Sequence, residues 1–302
     1  MKKLNLAMAI SLLAAAGSTH AATIYEGKGI KYTVKGDIQV QLLQDAGDNE
    51  DLDVNYDDAE LKNNITYDVG NGTKAFAQVD YDFKKESTEE TYVGLDFGGF
   101  KFWVGETDYV TDNFEVEKNI DVVDIDGDSF SQDESEDLIA VEFSVGPATI
   151  AMSYDLEVGD DEETSFDIYS EIPAGPVEIM LAYQAYELAT ISTDTFGIGG
   201  TAKLGGVKFG LSYTSTDSDT DTDDKDNISA VVSFLLAKTL SGTLGYDIQD
   251  FDADSVEDID TWYANVVYKF PAAKNVSVFA ELANTDEDDS DVGYLFGMRV
   301  KF

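Results

Sequence analysis

The side chains that could do chemistry in this sequence are overwhelmingly carboxylates. The chain has 61 Asp and Glu residues against 19 Lys and Arg, one histidine and no cysteine, and its formal net charge is −42. The histidine, His20, lies in an N-terminal segment with the pattern of a signal peptide. Once this segment is removed, the chain has neither histidine nor cysteine. It can therefore build neither a Ser-His or Cys-His nucleophile nor the usual zinc site. What remains is the chemistry of carboxylates, hydroxyls, tyrosines and a few lysines.

The carboxylates do not predict a dedicated calcium loop. Two acidic runs, which begin at Asp124 and Asp217, have the residue types of such a loop. An EF-hand loop also needs glycine at its sixth position and a bidentate glutamate at its twelfth. The twelfth residues of these two runs are Ser135 and Ile228, so neither run fits. Loose binding of divalent cations by crowded external carboxylates, or a simply hydrated acidic surface, are equally compatible with the sequence.

The carboxylates do not predict an enzyme either. A pair of carboxylates can hydrolyse a glycosidic bond when the two groups lie at the right separation. In a chain with 61 acidic residues such a pair is expected by chance, and nothing in the sequence distinguishes one pair from the others. We therefore expect no catalytic residues, no resident metal and no cofactor.

The N-terminus predicts export. Lys2 and Lys3 precede an apolar run from Leu4 to Ala16, and Thr19-His20-Ala21 places small residues before a cut after residue 21. The apolar run is too short for a spanning helix, which needs about 20 residues. We expect residues 1–21 to be a signal peptide and residues 22–302 to form one domain. The acidity argues against nucleic acid as a partner, since there is no basic patch to replace phosphate counterions.

The elements that must position the carboxylates are β-strands. Apolar residues alternate with polar ones in many segments, as in Ala75, Ala77, Val79, Tyr81 and Phe83, and this period of two indicates strands with one apolar and one polar face. About 16 strands are predicted, with starts near residues 31, 55, 74, 89, 100, 137, 148, 164, 175, 193, 206, 226, 239, 259, 274 and 291.

The connections between these strands are predicted to alternate strictly between long and short. Tight turns such as Asn71-Gly72 and Gly205-Gly206 alternate with long acidic segments, the longest of which runs from Glu106 to Asp137. Short turns at one end, long loops at the other and an even strand number are typical of an outer-membrane antiparallel β-barrel. The fold class predicted is therefore all-β, a transmembrane barrel of about 16 strands.

The chain resembles the Gram-negative general (trimeric) porin family. The resemblance comprises the signal peptide, the strand count, the segment from Tyr92 to Gly105, the loop-tip residues Ile125 to Asp128 and a last strand that alternates to a terminal Phe302. It implies a third loop folded into the barrel, a homotrimer in the cell outer membrane in contact with lipid and lipopolysaccharide, and passive diffusion of small hydrophilic solutes.

Where that family has a basic cluster opposite the loop, this chain has acids. A rough alignment places Asp37, Glu60 and Glu106 at the family's basic positions, and the sequence after Ala21 has a single arginine, Arg299. Carboxylates in a narrow pore attract cations and repel anions, so we expect a cation-selective channel. The alternative is an acidic surface β-protein, an adhesin or structural barrel without channel activity. The candidate constriction residues are Asp37, Glu60, Glu106, Asp108, Asp112, Glu115, Glu117, Asp121, Asp124, Asp126 and Asp128.

Overall fold

The computed structural model describes residues 21–47, 50–123, 130, 134–156, 163–188, 191–220, 224–253, 256–287 and 290–302. The predicted signal peptide therefore lies outside the described residues except for Ala21. The described part of the chain contains 17 strands and one short 3₁₀ helix, Val110–Asn113. No helix in it has the length and apolarity needed to cross a bilayer.

The strands account for most of the described residues, and each of the 16 predicted strand starts lies within three residues of an observed one. The strands are β1 (Ala22–Gly27), β2 (Ile30–Gln44), β3 (Asp53–Gly70), β4 (Thr73–Asp82), β5 (Ser87–Asp96), β6 (Phe100–Asp108), β7 (Glu134–Val145), β8 (Ala148–Asp155), β9 (Glu163–Ala174), β10 (Val177–Leu188), β11 (Ile191–Leu204), β12 (Val207–Ser218), β13 (Lys225–Ala237), β14 (Leu240–Phe251), β15 (Ile259–Phe270), β16 (Ala273–Thr285) and β17 (Gly293–Lys301).

Strands β2 to β17 form a closed antiparallel barrel of 16 strands. Each strand pairs with the next along the chain, and β17 pairs with β2 from Tyr294 opposite Gln44 to Lys301 opposite Asp37. The short β1 pairs with the first part of β2, and the backbone groups of Gly36 and Phe302 exchange hydrogen bonds of 2.8 and 2.9 Å where β17 ends. The first and last strands of the chain thus share one edge of β2, and the sheet has no long free edge.

The barrel has its apolar side chains outside and its polar side chains inside. Along the paired strands β11 and β12, the outward-facing Phe196 and Leu211 are 47% and 61% exposed, whereas the inward-facing Thr195 is 1% exposed. On β10, Gln184 is fully buried on the inner face. This distribution is the reverse of a soluble sandwich, and it fits a barrel whose outer face meets lipid.

The connections at one end of the barrel are all short, as predicted. At the other end the prediction of strict alternation is wrong for two connections, residues 83–86 and 189–190. The first of these is tight because the Asp82 carboxylate accepts hydrogen bonds from the backbone N–H groups of Lys84 and Lys85, and Glu86 adopts a φ of 56°. The second spans only the two residues between the paired Leu188 and Ile191.

Candidate pore constriction

The connection between β6 and β7 lies against the polar face of the strands that follow it. The hydroxyl of Tyr109 donates a 2.7 Å hydrogen bond to Asp155 of β8, and the Thr111 hydroxyl donates a 2.9 Å bond to Asp167 of β9. All four groups are buried. We use the name constriction loop for residues 109–123, which are the continuous described part of this connection.

Glycines on β11 and β12 make room for the middle of the constriction loop. A Cβ atom added to Gly197 would lie 2.9 Å from the Phe114 ring, and one added to Gly199 would lie 3.2 Å from it. A Cβ atom on Gly210 would lie 3.1 Å from Val116. The missing side chains therefore form a shallow groove in which the loop packs.

Glu281 of β16 anchors the far part of the constriction loop. Its buried carboxylate accepts hydrogen bonds from the backbone N–H groups of Ile120, Asp121 and Val122, at 2.7, 3.1 and 3.3 Å. The side chain of Asn265 donates a further bond of 2.9 Å to the same carboxylate. A carboxylate that accepts several N–H groups is a strong anchor because the bonds are charge-assisted.

The constriction loop has a wall side and an open side. Val110, Phe114 and Val116 are buried against the strands, whereas Asp112 and Glu115 are exposed on the other side of the loop. The loop's one lysine, Lys118, is also exposed and lies 2.7 Å from Glu115. The wall side of the loop is thus mostly apolar, and its open side is charged.

A second inner surface is rich in carboxylates. Four strands, β2 to β5, present it together with the end of β17. Its cations are shared between carboxylates: Arg299 lies 2.5 Å from both Asp37 and Asp58. Similarly, Lys62 bridges carboxylates on β4 and β5. We call this surface the acid wall; it comprises Asp37, Asp57, Asp58, Glu60, Asp80, Glu89 and Glu90 with Lys62, Arg299 and Lys301.

Two β-bulges increase the charge of the acid wall. β3 has one extra residue opposite Gln39, and as a result the consecutive Asp57 and Asp58 both bind inner groups, Asp57 with Gln39 and Asp58 with Arg299. β5 has one extra residue, Glu89, next to the paired Glu90. In a regular strand consecutive residues face opposite sides, so only one of each pair would reach the inside.

Asp121 joins the constriction loop to the acid-wall strands. Its carboxylate accepts hydrogen bonds from Gln41 on β2 and, at 3.2 Å, from Asn55 on β3. Burial, followed by the negative charges of Asp57 and Asp45, raises the pKa of Asp121 to about 6. Asp121 is therefore a titratable group at the junction of the two surfaces.

The structure brings several of the predicted constriction residues together. Asp37 and Glu60 belong to the acid wall, Asp112 and Glu115 lie on the open side of the loop, and Asp121 links the two. A further candidate, Asp108, is exposed at the end of β6, paired with Glu134. The candidates Asp124, Asp126 and Asp128 lie outside the described residues.

Two predicted residues are placed elsewhere. Glu106 is in register with Thr91, on the face opposite to the neighbouring pair Tyr92 and Gly105, and its carboxylate accepts a 2.8 Å hydrogen bond from Thr88. It therefore points to the outer side of the sheet, because the register of β6 turns it there. Glu117 is buried on the wall side of the loop, where it accepts a 3.2 Å bond from Ser212.

Five of the seven acid-wall carboxylates (Asp57, Asp58, Asp80, Glu89 and Glu90) and the loop anchor Glu281 were not predicted from the sequence. The acidic pairs Asp57-Asp58 and Glu89-Glu90 are visible in the sequence, but a strict period of two sends one member of each pair outward. Glu281 has no local signal, since its loop partners are about 160 residues away in the chain.

Comparison with known proteins supports one family. The Gram-negative porin family model matches residues 7–290. The chain is 26% identical to Porin-like protein H of Photobacterium profundum, with all of both chains covered. It shares the fold of a trimer form of OmpT, an outer membrane protein of Vibrio cholerae (TM-score 0.78, 15% identity, 91% and 100% of the two chains), and of an anion-selective porin from Comamonas acidovorans (TM-score 0.70, 15% identity, 90% and 100%).

The family model ends at residue 290, before β17, and the structural likeness covers 91% of the chain. The family model thus covers far more than half of the chain. The chain therefore belongs to the Gram-negative porin family, as the sequence predicted, and is a β-barrel of the outer membrane.

Proposed function

We propose that this porin is a cation-selective channel through which small hydrophilic solutes diffuse passively between the constriction loop and the acid wall. The observation that carries the proposal is the charge of the acid wall. Its carboxylates outnumber its cations seven to three, and eight to six if the neighbouring Asp82, Lys35, Lys84 and Lys85 are counted. A pore lined by one sign of charge concentrates the opposite ions.

The fold alone does not determine this selectivity. An anion-selective porin shares the same architecture at 15% identity, so the sign of the selectivity must come from the side chains that line the pore. On the acid wall each cation is held by two carboxylates or by a carboxylate that is itself shared, as Arg299 and Lys301 share Asp37. These cations therefore contribute little free positive charge to passing anions.

The reversal potential in a potassium chloride gradient across a planar bilayer tests the proposal. We expect wild-type protein to prefer potassium, and the double variant Asp57→Asn/Asp58→Asn to lose part of this preference. Glu287→Gln is the matched control, since it removes an exposed carboxylate from the 286–292 connection rather than from the acid wall. Anion preference in the wild type would refute the proposal, and no conductance from folded protein would favour the acidic surface protein without channel activity.

We also propose that the channel is a homotrimer with one pore in each subunit. Support comes from the trimer form of the Vibrio cholerae protein that shares the fold, and from the outer apolar face, which suits both lipid and a neighbouring subunit. Lipid and lipopolysaccharide would cover the rest of that face. Conductance steps in groups of three, together with a trimer mass in detergent, are the expected results; single steps from a monomer would contradict them.

A further inference from the structure

Three carboxylates of the acid wall converge on one point. Glu60 on β3, Asp80 on β4 and Glu89 on β5 each present an oxygen, and these oxygens all lie within 4.8 Å of one another. Asp80 is paired in the sheet with Lys62 on one side and Glu90 on the other, so the cluster crosses three adjacent strands. It depends on the bulge in β5, which turns Glu89 to the same side as Glu90.

Asp80 has an oxygen that no protein group satisfies. Its side chain is 1% exposed, and its Oδ2 atom lies 2.7 Å from Lys62. Within the described part of the chain no group donates a hydrogen bond to its Oδ1 atom. A buried carboxylate oxygen without a partner is costly, so we expect a cation or an ordered water to bind at this atom.

The charge of the cluster also calls for a cation. Four carboxylates meet here if Glu90 is included, and the cations that contact them are Lys62, at 2.7 Å from Asp80 and Glu90, and Lys85, at 3.0 Å from Glu89. The formal balance is −4 + 2 = −2. One divalent cation would cancel it.

We propose that Glu60, Asp80 and Glu89 form a calcium site on the pore wall. Carboxylate oxygens are hard ligands, and Ca²⁺ accepts six to eight oxygens in irregular geometry, whereas Mg²⁺ demands a near-ideal octahedron. Three side chains contributed by three strands give an irregular set, and water of the lumen completes the coordination. A bound Ca²⁺ would reduce the negative charge of the acid wall. The site does not depend on channel activity, because binding can be measured in detergent.

Calorimetric titration of folded, detergent-solubilised protein with calcium chloride tests the site. About 0.1 M potassium chloride should be present to screen loose binding at exposed carboxylates. We expect one calcium per chain in the wild type and an affinity at least roughly tenfold lower in Glu60→Gln and Glu89→Gln, since even second-shell changes around a metal cost that much. Asp58→Asn is the matched control, an acid-wall variant whose carboxylate contacts Arg299 instead, and it should keep the wild-type affinity.

A second variant changes the affinity in the opposite direction. Lys62 occupies the Oδ2 atom of Asp80, so Lys62→Gln should free that oxygen, remove a competing charge and strengthen calcium binding. The proposal is overturned if wild-type protein lacks a stoichiometric site, if Asp58→Asn weakens binding as much as Glu89→Gln does, or if Lys62→Gln weakens it. Protein that binds one calcium but does not conduct would refute the channel and leave the site intact.

Discussion

The two halves of the inner surface use their polar residues in different ways. From β8 to β16 the surface holds the constriction loop through buried bonds such as Tyr109 to Asp155 and Glu281 to the loop backbone. From β2 to β5 the surface is open to the pore, and its carboxylates bind lysine and arginine side chains rather than the loop. The half from β8 to β16 holds the constriction loop in place, and the half from β2 to β5 carries the charge.

The difference extends to the strands themselves. The bulges in β3 and β5 turn consecutive acids toward the acid wall, whereas β8 to β12 pair without a register shift under the loop. A regular register gives the loop a smooth surface on which glycines can form a groove, whereas bulges crowd charge into one place. We therefore propose that pore width and pore charge depend on separate sets of residues, and this separation can be tested.

The largest effect is expected from removing the loop anchor. Glu281→Ala leaves three loop N–H groups without their acceptor, and at 1–3 kcal/mol for each unsatisfied buried group it should weaken the anchoring by about 3 kcal/mol or more. We expect a larger and noisier single-channel conductance, with selectivity changed less than conductance. Glu287→Gln is the control, and an unchanged conductance in Glu281→Ala would show that other contacts hold the loop.

An intermediate effect is expected from Arg299→Gln. This change leaves Asp37, which is 2% exposed, with Lys301 as its remaining cation, and the loss of a partner from a largely buried ion pair should cost about 2–3 kcal/mol. Cation preference should rise because the acid wall becomes more negative. Urea unfolding in detergent measures the first effect and reversal potential the second.

Two further variants qualify the Arg299 result. Arg299→Lys should retain the charge but lose the simultaneous contact with Asp37 and Asp58, so its stability should fall between those of wild type and Arg299→Gln. Lys301→Gln, which alters a half-exposed cation on the same carboxylate, should cost less than Arg299→Gln. The opposite order would mean that Lys301 is the principal partner of Asp37.

The smallest effect is expected from titrating the junction between the two surfaces. Because the pKa of Asp121 is raised to about 6, cation preference should fall as pH decreases through 6 and this carboxylate is neutralised. The folded state binds this proton more tightly than the unfolded chain does. The free energy of unfolding should therefore rise as pH falls from about 6 toward the ordinary pKa of an aspartate. Asp121→Asn should reduce the pH-dependent change in reversal potential, and Glu115→Gln should retain it.

Much of the fold could be predicted because its signals are local. The period of two identifies each strand from a few residues, and the turn residues mark where the strands end. The predicted starts therefore agree with the observed ones, and the terminal Phe302 does meet the first long strand at Gly36. The short connections at 83–86 and 189–190 depart from the predicted alternation, and neither segment is acidic.

The candidate site was less predictable because it depends on long-range pairing. Asp37, Glu60, Asp112, Glu115 and Asp121 were predicted and lie on the two inner surfaces. The face to which an acidic side chain points, by contrast, depends on the register of its strand and on β-bulges. A period of two along the sequence shows neither.

The sequence by itself determined that this protein is an acidic outer-membrane barrel of 16 strands, because alternation, strand count and charge are properties of short segments and of composition. Only the tertiary structure decided which carboxylates meet. The bulge at Asp57-Asp58, the outward turn of Glu106 and the contact of Glu281 with a loop about 160 residues away all arise when the barrel closes. The physical reason is that the face and the partners of a side chain in a sheet are set by the neighbouring strand, not by the residues beside it in the chain.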